Sequence, residues 1–488
     1  MNPGWDFHAI APEIILSATI IVVLIADFFF QYRRRFQTSQ LATIGVLAAM
    51  VPVITLAVDG GTRRMFGGAF VVDPYSIALT GFFLAAAYVT LLLSVDYIGD
   101  GDYYQGEFYV LLLISVLGMV VMSSARDLIT IFVALETISI PTFVLAGWRK
   151  HDPKSNEAAI KYYLIGVLSS AIMLYGMSLV FGLTGSTLLR DIAVAAPRTP
   201  HTSLLIVAVF LTLVGFAFKI SAVPFHFWAP DTYEGAPTPV TAFLSVSSKA
   251  GGFVAMISIV FFGFFAVPDT WQPVLWILAV ASMILGNLAA LRQTNIVRML
   301  AYSSIAQAGF MLVPFAVAAD GDAARSSFEA IVIYLLIFGA MNLGAFAVVI
   351  AFARRTRSAE ISTYAGLGSY APGFALLMSI FVLSLAGLPP LAGWFAKFVM
   401  FRSVLDAGTP GATVLGIIAA VMSVVAFFYY MRVVMEMWFH PVPDSLEATP
   451  LRIPFALNAA VGICGAIVLI VGVYPQVFAR IGELAAGG

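Results

Sequence analysis

L-L-I-V-A-V-F-L-T-L-V-G-F-A-F-K-I-S-A-V-P-F-H-F, residues 204–227, is apolar almost from end to end, yet Lys219 lies deep inside it and Pro224 follows five residues later. Its apolar residues are continuous and do not alternate, which excludes a barrel strand. A helix of about 20 such residues matches the ~30 Å hydrocarbon core of a bilayer. The rest of the chain repeats the pattern. Of 488 residues 61% are apolar and only 10% are charged, against roughly 25% charged in a soluble domain. Fourteen spans would consume roughly 280 apolar residues, nearly all that the chain holds. The spans read as 10–30, 40–58, 74–95, 107–123, 127–147, 158–183, 204–227, 238–265, 273–291, 299–318, 327–352, 373–402, 413–439 and 453–476. Lipid leaves the backbone no partner but itself, so the expected fold is an all-α polytopic membrane protein of about 14 transmembrane helices. The first span is not expected to be a signal peptide, because Asp6 precedes it without any positive charge and its apolar run is too long.

Several functions are excluded early. A net charge of −1 gives no basic balance for nucleic acid. Cys464 is the single cysteine, so the chain can form no internal disulfide, Cys-ligated cluster or Cys-x-x-Cys pair. No G-x-x-x-x-G-K-[ST] or G-x-G-x-x-G phosphate cradle is present. The five histidines are scattered, which argues against a metal site. The chain is therefore expected to bind no cofactor and no metal of its own.

Lys and Arg in the loops set orientation. Thirteen fall on one side, among them Arg33, Arg34, Arg35, Arg149, Lys150, Lys154, Arg298 and Arg452. Eight fall on the other, among them Arg63, Arg64, Arg126 and Arg190. Both termini are then expected to face away from the cytoplasm. Four basic residues remain, Lys161, Lys219, Lys249 and Lys397, and all lie within apolar spans. The chain has only six lysines, so this placement is selective. Each lysine at mid-bilayer costs about 2.5–3.5 kcal/mol on insertion scales. Lysine can release its proton when desolvated, whereas arginine effectively cannot. Lys161 is nearer a span end, where it could snorkel.

The matching acid is Glu136, in D-L-I-T-I-F-V-A-L-E-T-I-S-I-P (127–141), well inside the fifth span. Glu136 and a lysine are expected to share a proton as a coupled pair. Other carboxylates lie nearer span ends, and Glu436, four residues after Arg432, reads as a local helix pair. Two lysine spans are also broken: Pro224 follows Lys219, and Gly387, Pro389, Pro390 and Gly393 precede Lys397. Breaks at mid-membrane are tolerated where they are buried or line a wet cavity, and paired discontinuous helices point to a transport site. His226 lies seven residues after Lys219, two turns along if the helix continued. A neutral imidazole there could relay a proton, or make an ordinary interfacial hydrogen bond. Ser245, Ser247, Ser248, Asn287, Tyr302, Ser303, Ser304 and Gln307 add polar groups between the lysines.

Two stretches carry a resemblance: F-K-I-S-A-V-P-F-H-F-W-A-P-D-T-Y-E-G-A-P-T-P-V-T-A-F-L-S-V-S-S-K-A-G (218–251) and S-L-A-G-L-P-P-L-A-G-W-F-A-K-F (384–398). The chain resembles the antiporter-like membrane subunits of proton-pumping NADH–quinone oxidoreductase, respiratory complex I. Lys397, where subunit M usually has glutamate, and the length suit the subunit N branch. The resemblance implies two inverted five-helix repeats, 107–265 and 266–440, preceded by three helices in 1–106 and followed by a last helix in 441–488. It implies a relay of Glu136, Lys219, Lys249 and Lys397, with Lys161 adjusting the first pair and His226 in the connecting path. It also implies that FMN and iron–sulfur clusters reside in a peripheral redox arm, that other hydrophobic subunits flank the chain, and that this subunit holds no cofactor. Two other readings stay open: a subunit of an Mrp-type cation/proton antiporter, and a structural membrane subunit that does not pump.

Overall fold

The computed structural model describes residues 5–29, 36–100, 106–318, 321–443 and 453–487. Its helices run in chain order. The first six are α1 (Ala11–Phe29), α2 (Phe36–Asp59), α3 (Pro74–Asp100), α4 (Gly106–Ser124), α5 (Leu128–Ala146) and α6 (Pro153–Thr184). A short α7 (Leu189–Ala195) leads to α8 (Thr202–Lys219), α9 (Trp228–Gly235), α10 (Thr238–Phe243), α11 (Lys249–Ile257), α12 (Gln272–Leu291) and α13 (Ile296–Val317). Then come α14 (Asp322–Thr356), α15 (Leu367–Tyr370), α16 (Pro372–Ala386), α17 (Ala392–Ala407), α18 (Pro410–Phe439), α19 (Phe455–Val473) and α20 (Gln476–Ala486). Among the described residues thirteen helical segments are long and apolar enough to cross a membrane. The broken pair α16–α17 supplies a fourteenth crossing, in agreement with the expected count. Arg33, Arg34, Arg35 and Arg452, used to set orientation, lie outside the described residues.

Local chemistry fixes where the helices start. Asp127 caps α5 by accepting from the Thr130 N–H at 2.9 Å. Asp152 caps α6, with Pro153 in its first turn. That start precedes the expected boundary at 158. Asn295 accepts from the N–H groups of Val297 and Arg298. Each cap satisfies donors that a helix N-terminus otherwise leaves without partners. Three features escaped the sequence reading: a hairpin of β1 (Arg63–Met65) and β2 (Phe70–Val72), the α7 segment, and α20 after the last crossing.

The segments differ in what surrounds them. Few residues of α1 and α18 are buried, whereas the most apolar stretches of α14 and of Thr238–Phe264 are buried throughout within the protein. α14 packs on α13, α16, α17, α19 and α20, so it runs through the middle of the bundle. Thr238–Phe264 is α-helical at α10 and α11 but widens to π geometry at Leu244–Ser248 and Ser258–Phe264. Such widened turns free backbone groups and are frequent at functional sites. They flank Lys249.

Both expected breaks are present. α8 stops at Lys219, and α9 resumes at Trp228. Ser221 takes a left-handed φ of 58° between them. The Trp228 indole donates to the Phe218 carbonyl at 3.1 Å, closing one carbonyl at the broken end. The single span expected at 373–402 is two helices, α16 and α17. Gly387 turns the chain there with φ 92°, a conformation glycine adopts without strain.

Candidate functional site: a row of buried amines

Lys219, Lys249 and Lys397 are buried, at 1%, 1% and 7% exposure. Among the described residues no carboxylate lies within ion-pair distance of any of them. Their partners are neutral. The Lys219 ammonium donates to Ser139 Oγ at 2.9 Å and Tyr162 Oη at 3.3 Å. Lys249 donates to Ser304 Oγ at 2.8 Å and faces the Tyr233 ring at 5.8 Å. Lys397 donates to the Ala386 carbonyl at 2.7 Å and lies 4.9 Å from the Phe310 ring centroid. An ammonium held only by hydroxyls, a carbonyl and ring faces is far costlier to bury than one paired with an acid.

The broken helices hold these amines in place. Trp228, just past the first break, stacks on Tyr162 with centroids 4.2 Å apart, and Tyr162 touches Lys219. Gly252 on α11 leaves room for the Lys219 stem: a Cβ there would stand 3.0 Å from Lys219 Cβ. Gly387 does the same for Lys397, since a Cβ would stand 2.7 Å from its Cδ. Lys397 thus donates to a carbonyl in the last turn of α16, where helical carbonyls lack intrahelical partners.

Polar groups lie between the second and third lysines. Ser303, next to Ser304, shares a short hydrogen bond with Tyr430 on α18. Gln307 Nε2 donates to Tyr430 Oη at 3.3 Å and to the Leu385 carbonyl at 3.0 Å. Tyr334 on α14 donates to Gln307 Oε1 at 2.7 Å. Leu385 adjoins Ala386, the acceptor of Lys397. The bonded series runs from Ser303 to the Leu385 carbonyl. Ser304, which takes Lys249, donates to the Ala301 carbonyl, so the series lies between the two lysines without a direct bond to either.

Several expectations are corrected. Glu136 does not pair with Lys219: it accepts from Ser170 Oγ at 2.5 Å, while Ser139, one turn along, takes the lysine. Lys161 lies in the first turns of α6 and makes no contact with Glu136 or Lys219 among the described residues. Its side chain is 41% exposed and its ammonium sits 2.6 Å from both Glu157 and Asp231. The helix does not continue from Lys219 to His226, so the two-turn spacing fails. His226 is nevertheless buried, with Nδ1 lacking a hydrogen-bond partner. Arg432 does not pair with Glu436: it donates to the Leu291 and Gln293 carbonyls, and Glu436 meets His440 at 3.0 Å.

A charged cluster on α6, α9 and α13 was not foreseen. Asp231 joins Lys161 to Arg298, and Glu234 joins Arg298 to Lys154, with contacts of 2.6–2.9 Å. Arg298 opens α13, so the cluster ties α9 to the second half of the chain. Burial works to raise the Asp231 and Glu234 carboxyls, but hydrogen bonds from Lys161 and Arg298 to the first, and from Lys154 and Arg298 to the second, hold both below the ordinary carboxylate range. Tyr162, Tyr334, Tyr430 and Ser139 also escaped the sequence reading. A tyrosine within an apolar span carries no signal of its own, and only its partner reveals it.

Residues 125–423 match the family described as NADH:quinone oxidoreductase/Mrp antiporter, TM. NADH-quinone oxidoreductase subunit N of Trichlorobacter lovleyi is 40% identical over 98% of this chain and 97% of its own. The chain belongs to the subunit N family of NADH-quinone oxidoreductases. It also superposes on a chain of respiratory complex I from Thermus thermophilus with bound aureothin, at TM-score 0.79 and 31% identity, covering 98% of this chain and all of the other. A chain of the Mrp complex from Dietzia sp. gives TM-score 0.87 at 19% identity, covering 99% and 97%, a likeness of fold. The amine row and both breaks fall inside residues 125–423. The chain is a multi-pass membrane protein.

Proposed function

We propose that the chain is the proton-translocating subunit N of an NADH–quinone oxidoreductase. Other hydrophobic subunits flank it, and electron transfer in a peripheral arm carrying FMN and iron–sulfur clusters drives it. The observation that carries this reading is the row of three buried amines whose partners are all neutral. A structural role would be met at lower cost by paired or apolar side chains. A relay needs groups that hold a proton without trapping it against a fixed charge.

Lys219, Lys249 and Lys397 take up and release protons, and Ser304, Ser303, Tyr430 and Gln307 lie between the last two. Glu136, hydrogen-bonded to Ser170, acts on Lys219 at a distance and not by contact. His226 stands beside the path with a free ring nitrogen. Lys161 belongs to the charged cluster that joins α6 and α9 to α13. The halves 107–265 and 266–440 act as inverted repeats, each with one broken helix. The membrane is the bacterial inner membrane, with both termini periplasmic.

The test separates charge from titration. Lys249→Arg keeps a cation that cannot let its proton go, whereas Lys249→Met removes both. Proton uptake by membrane vesicles is compared after native gels show equal assembly. A relay loses pumping in both variants. Near-normal pumping with arginine and a defect with methionine alone would make Lys249 a structural cation and sink the proposal.

A further inference from the structure

At one end of the bundle, the β1–β2 hairpin meets the α4–α5 connection and the α6–α8 connection. A pocket of about 230 Å³ opens there, its polar wall formed by Thr62, Arg64, Asp73, Arg126 and Arg190. Three guanidinium groups against one carboxylate leave it positively charged.

Arg126 forms its rigid back. It is buried at 7% exposure, donates to Asp73 at 2.9 Å and to the Ser123 and Ala125 carbonyls, and lies 4.3 Å from the Phe262 ring centroid. Its backbone is pinned on both sides. The Arg126 N–H donates to the Ala69 carbonyl at 2.8 Å, and its carbonyl accepts from Leu189 at 3.0 Å. Asp73 in turn accepts from the Ser76 N–H at 2.8 Å.

The charge at the front is not neutralised. Among the described residues no acid pairs with Arg64. Arg190 reaches only its exposed neighbour Asp191, at 3.3 Å, an arrangement of little energetic weight. The Arg190 side chain is 62% exposed, and its guanidinium lies beside the hairpin turn, where a Cβ on Gly68 would stand 3.3 Å from its Nη1. Trp5 and Phe66, both half-exposed, meet edge to face with centroids 5.4 Å apart beside the hairpin. Exposed aromatics of this kind mark headgroup level in membrane proteins.

We propose that this pocket binds a phosphate group, supplied in the membrane by the headgroup of an anionic phospholipid. Arginine forks match phosphate oxygens in pairs, and the weakly hydrated guanidinium is well suited to phosphate recognition. Arg64 and Arg190 close on the phosphate, Thr62 donates its hydroxyl, and the Arg126–Asp73 pair fixes the wall behind them. The site is independent of the amine row.

The test uses the whole complex, delipidated in detergent, with native mass spectrometry after addition of phosphatidylglycerol or phosphatidylcholine. Phosphatidylglycerol is expected to be retained selectively. The double variant Arg64→Gln/Arg190→Gln is expected to lose that selectivity by about tenfold for each charge-assisted bond removed, with assembly and NADH–quinone activity unchanged. Arg126 is left intact, since its loss would strand Asp73. In a second arm, phosphorus-31 resonance broadening is followed with inorganic phosphate alone. Broadening abolished by the double variant, without lipid selectivity, keeps the phosphate site but makes free phosphate its occupant. Equal retention of both lipids with no phosphate broadening overturns the proposal. So does crosslinking of position 64 or 190 to an acidic residue of a neighbouring subunit, which would make the pocket a protein contact.

Discussion

Tyr430 is where a single hydroxyl decides between packing and transport. It joins Ser303 to Gln307, whereas its neighbour Tyr429 donates to Asn287 Oδ1 at 3.1 Å, away from Lys397. Removing either hydroxyl should destabilise the fold by about 1 kcal/mol. Only Tyr430→Phe should slow proton uptake by vesicles; an equal defect in Tyr429→Phe would show that the loss is structural. Gly387→Ala is a harsher probe. It forces a side chain into the left-handed region, at about 1–2 kcal/mol, and drives a Cβ against the Lys397 stem. Assembly on native gels should persist while pumping falls sharply; normal pumping would mean that the Lys397 position is not critical. The lysines themselves were legible in the sequence, because a charge inside an apolar run stands out. Their partners were not. Ser139 and Tyr162 come from two different spans, and the choice of Ser139 over Glu136 rests on a difference of one helical turn.

The broken helices were legible as elements, since proline and glycine interrupt otherwise unbroken apolar runs. What those breaks accomplish was not, because it depends on Trp228 reaching back to Phe218 and on Lys397 reaching back to Ala386. The α9 segment adds a tie that no local pattern announces: Asp231 and Glu234 meet Arg298 more than sixty residues later in the chain. Both carboxyls are held below their ordinary range, so the stabilisation from this tie is present above the unfolded carboxylate value. It is lost only as pH falls through the lower, folded value. The protection factor of the residue 228–235 amides, exchange relative to the intrinsic rate at each pH, should therefore stay constant from pH 8 to about 5 and fall only below roughly pH 4. Arg298→Gln should lower that protection already at pH 7. Loss of protection in the unmodified chain between pH 7 and 5 would show that another group, such as His226, controls the segment.

For the molecule as a whole, hydropathy located the crossings but could not say which of them meet lipid. α1 and α14 are both strongly apolar, yet one has few buried residues and the other is enclosed by protein. A photoreactive lipid probe should label Ala11–Phe29 and Pro410–Phe439 heavily and leave the apolar part of Asp322–Thr356 unlabelled; labelling of α14 would contradict its central place. The hairpin and α20 were missed because both lie outside the long apolar runs on which the reading relied. The enclosure of α14 has a consequence for biogenesis. A helix surrounded by protein does not need to be this greasy to rest where it rests. It needs to be so when the insertion machinery offers it to the bilayer alone, before its neighbours arrive. The composition of α14 is thus a record of its passage into the membrane. Polar substitutions along it should be rejected at the translocon before packing is ever consulted.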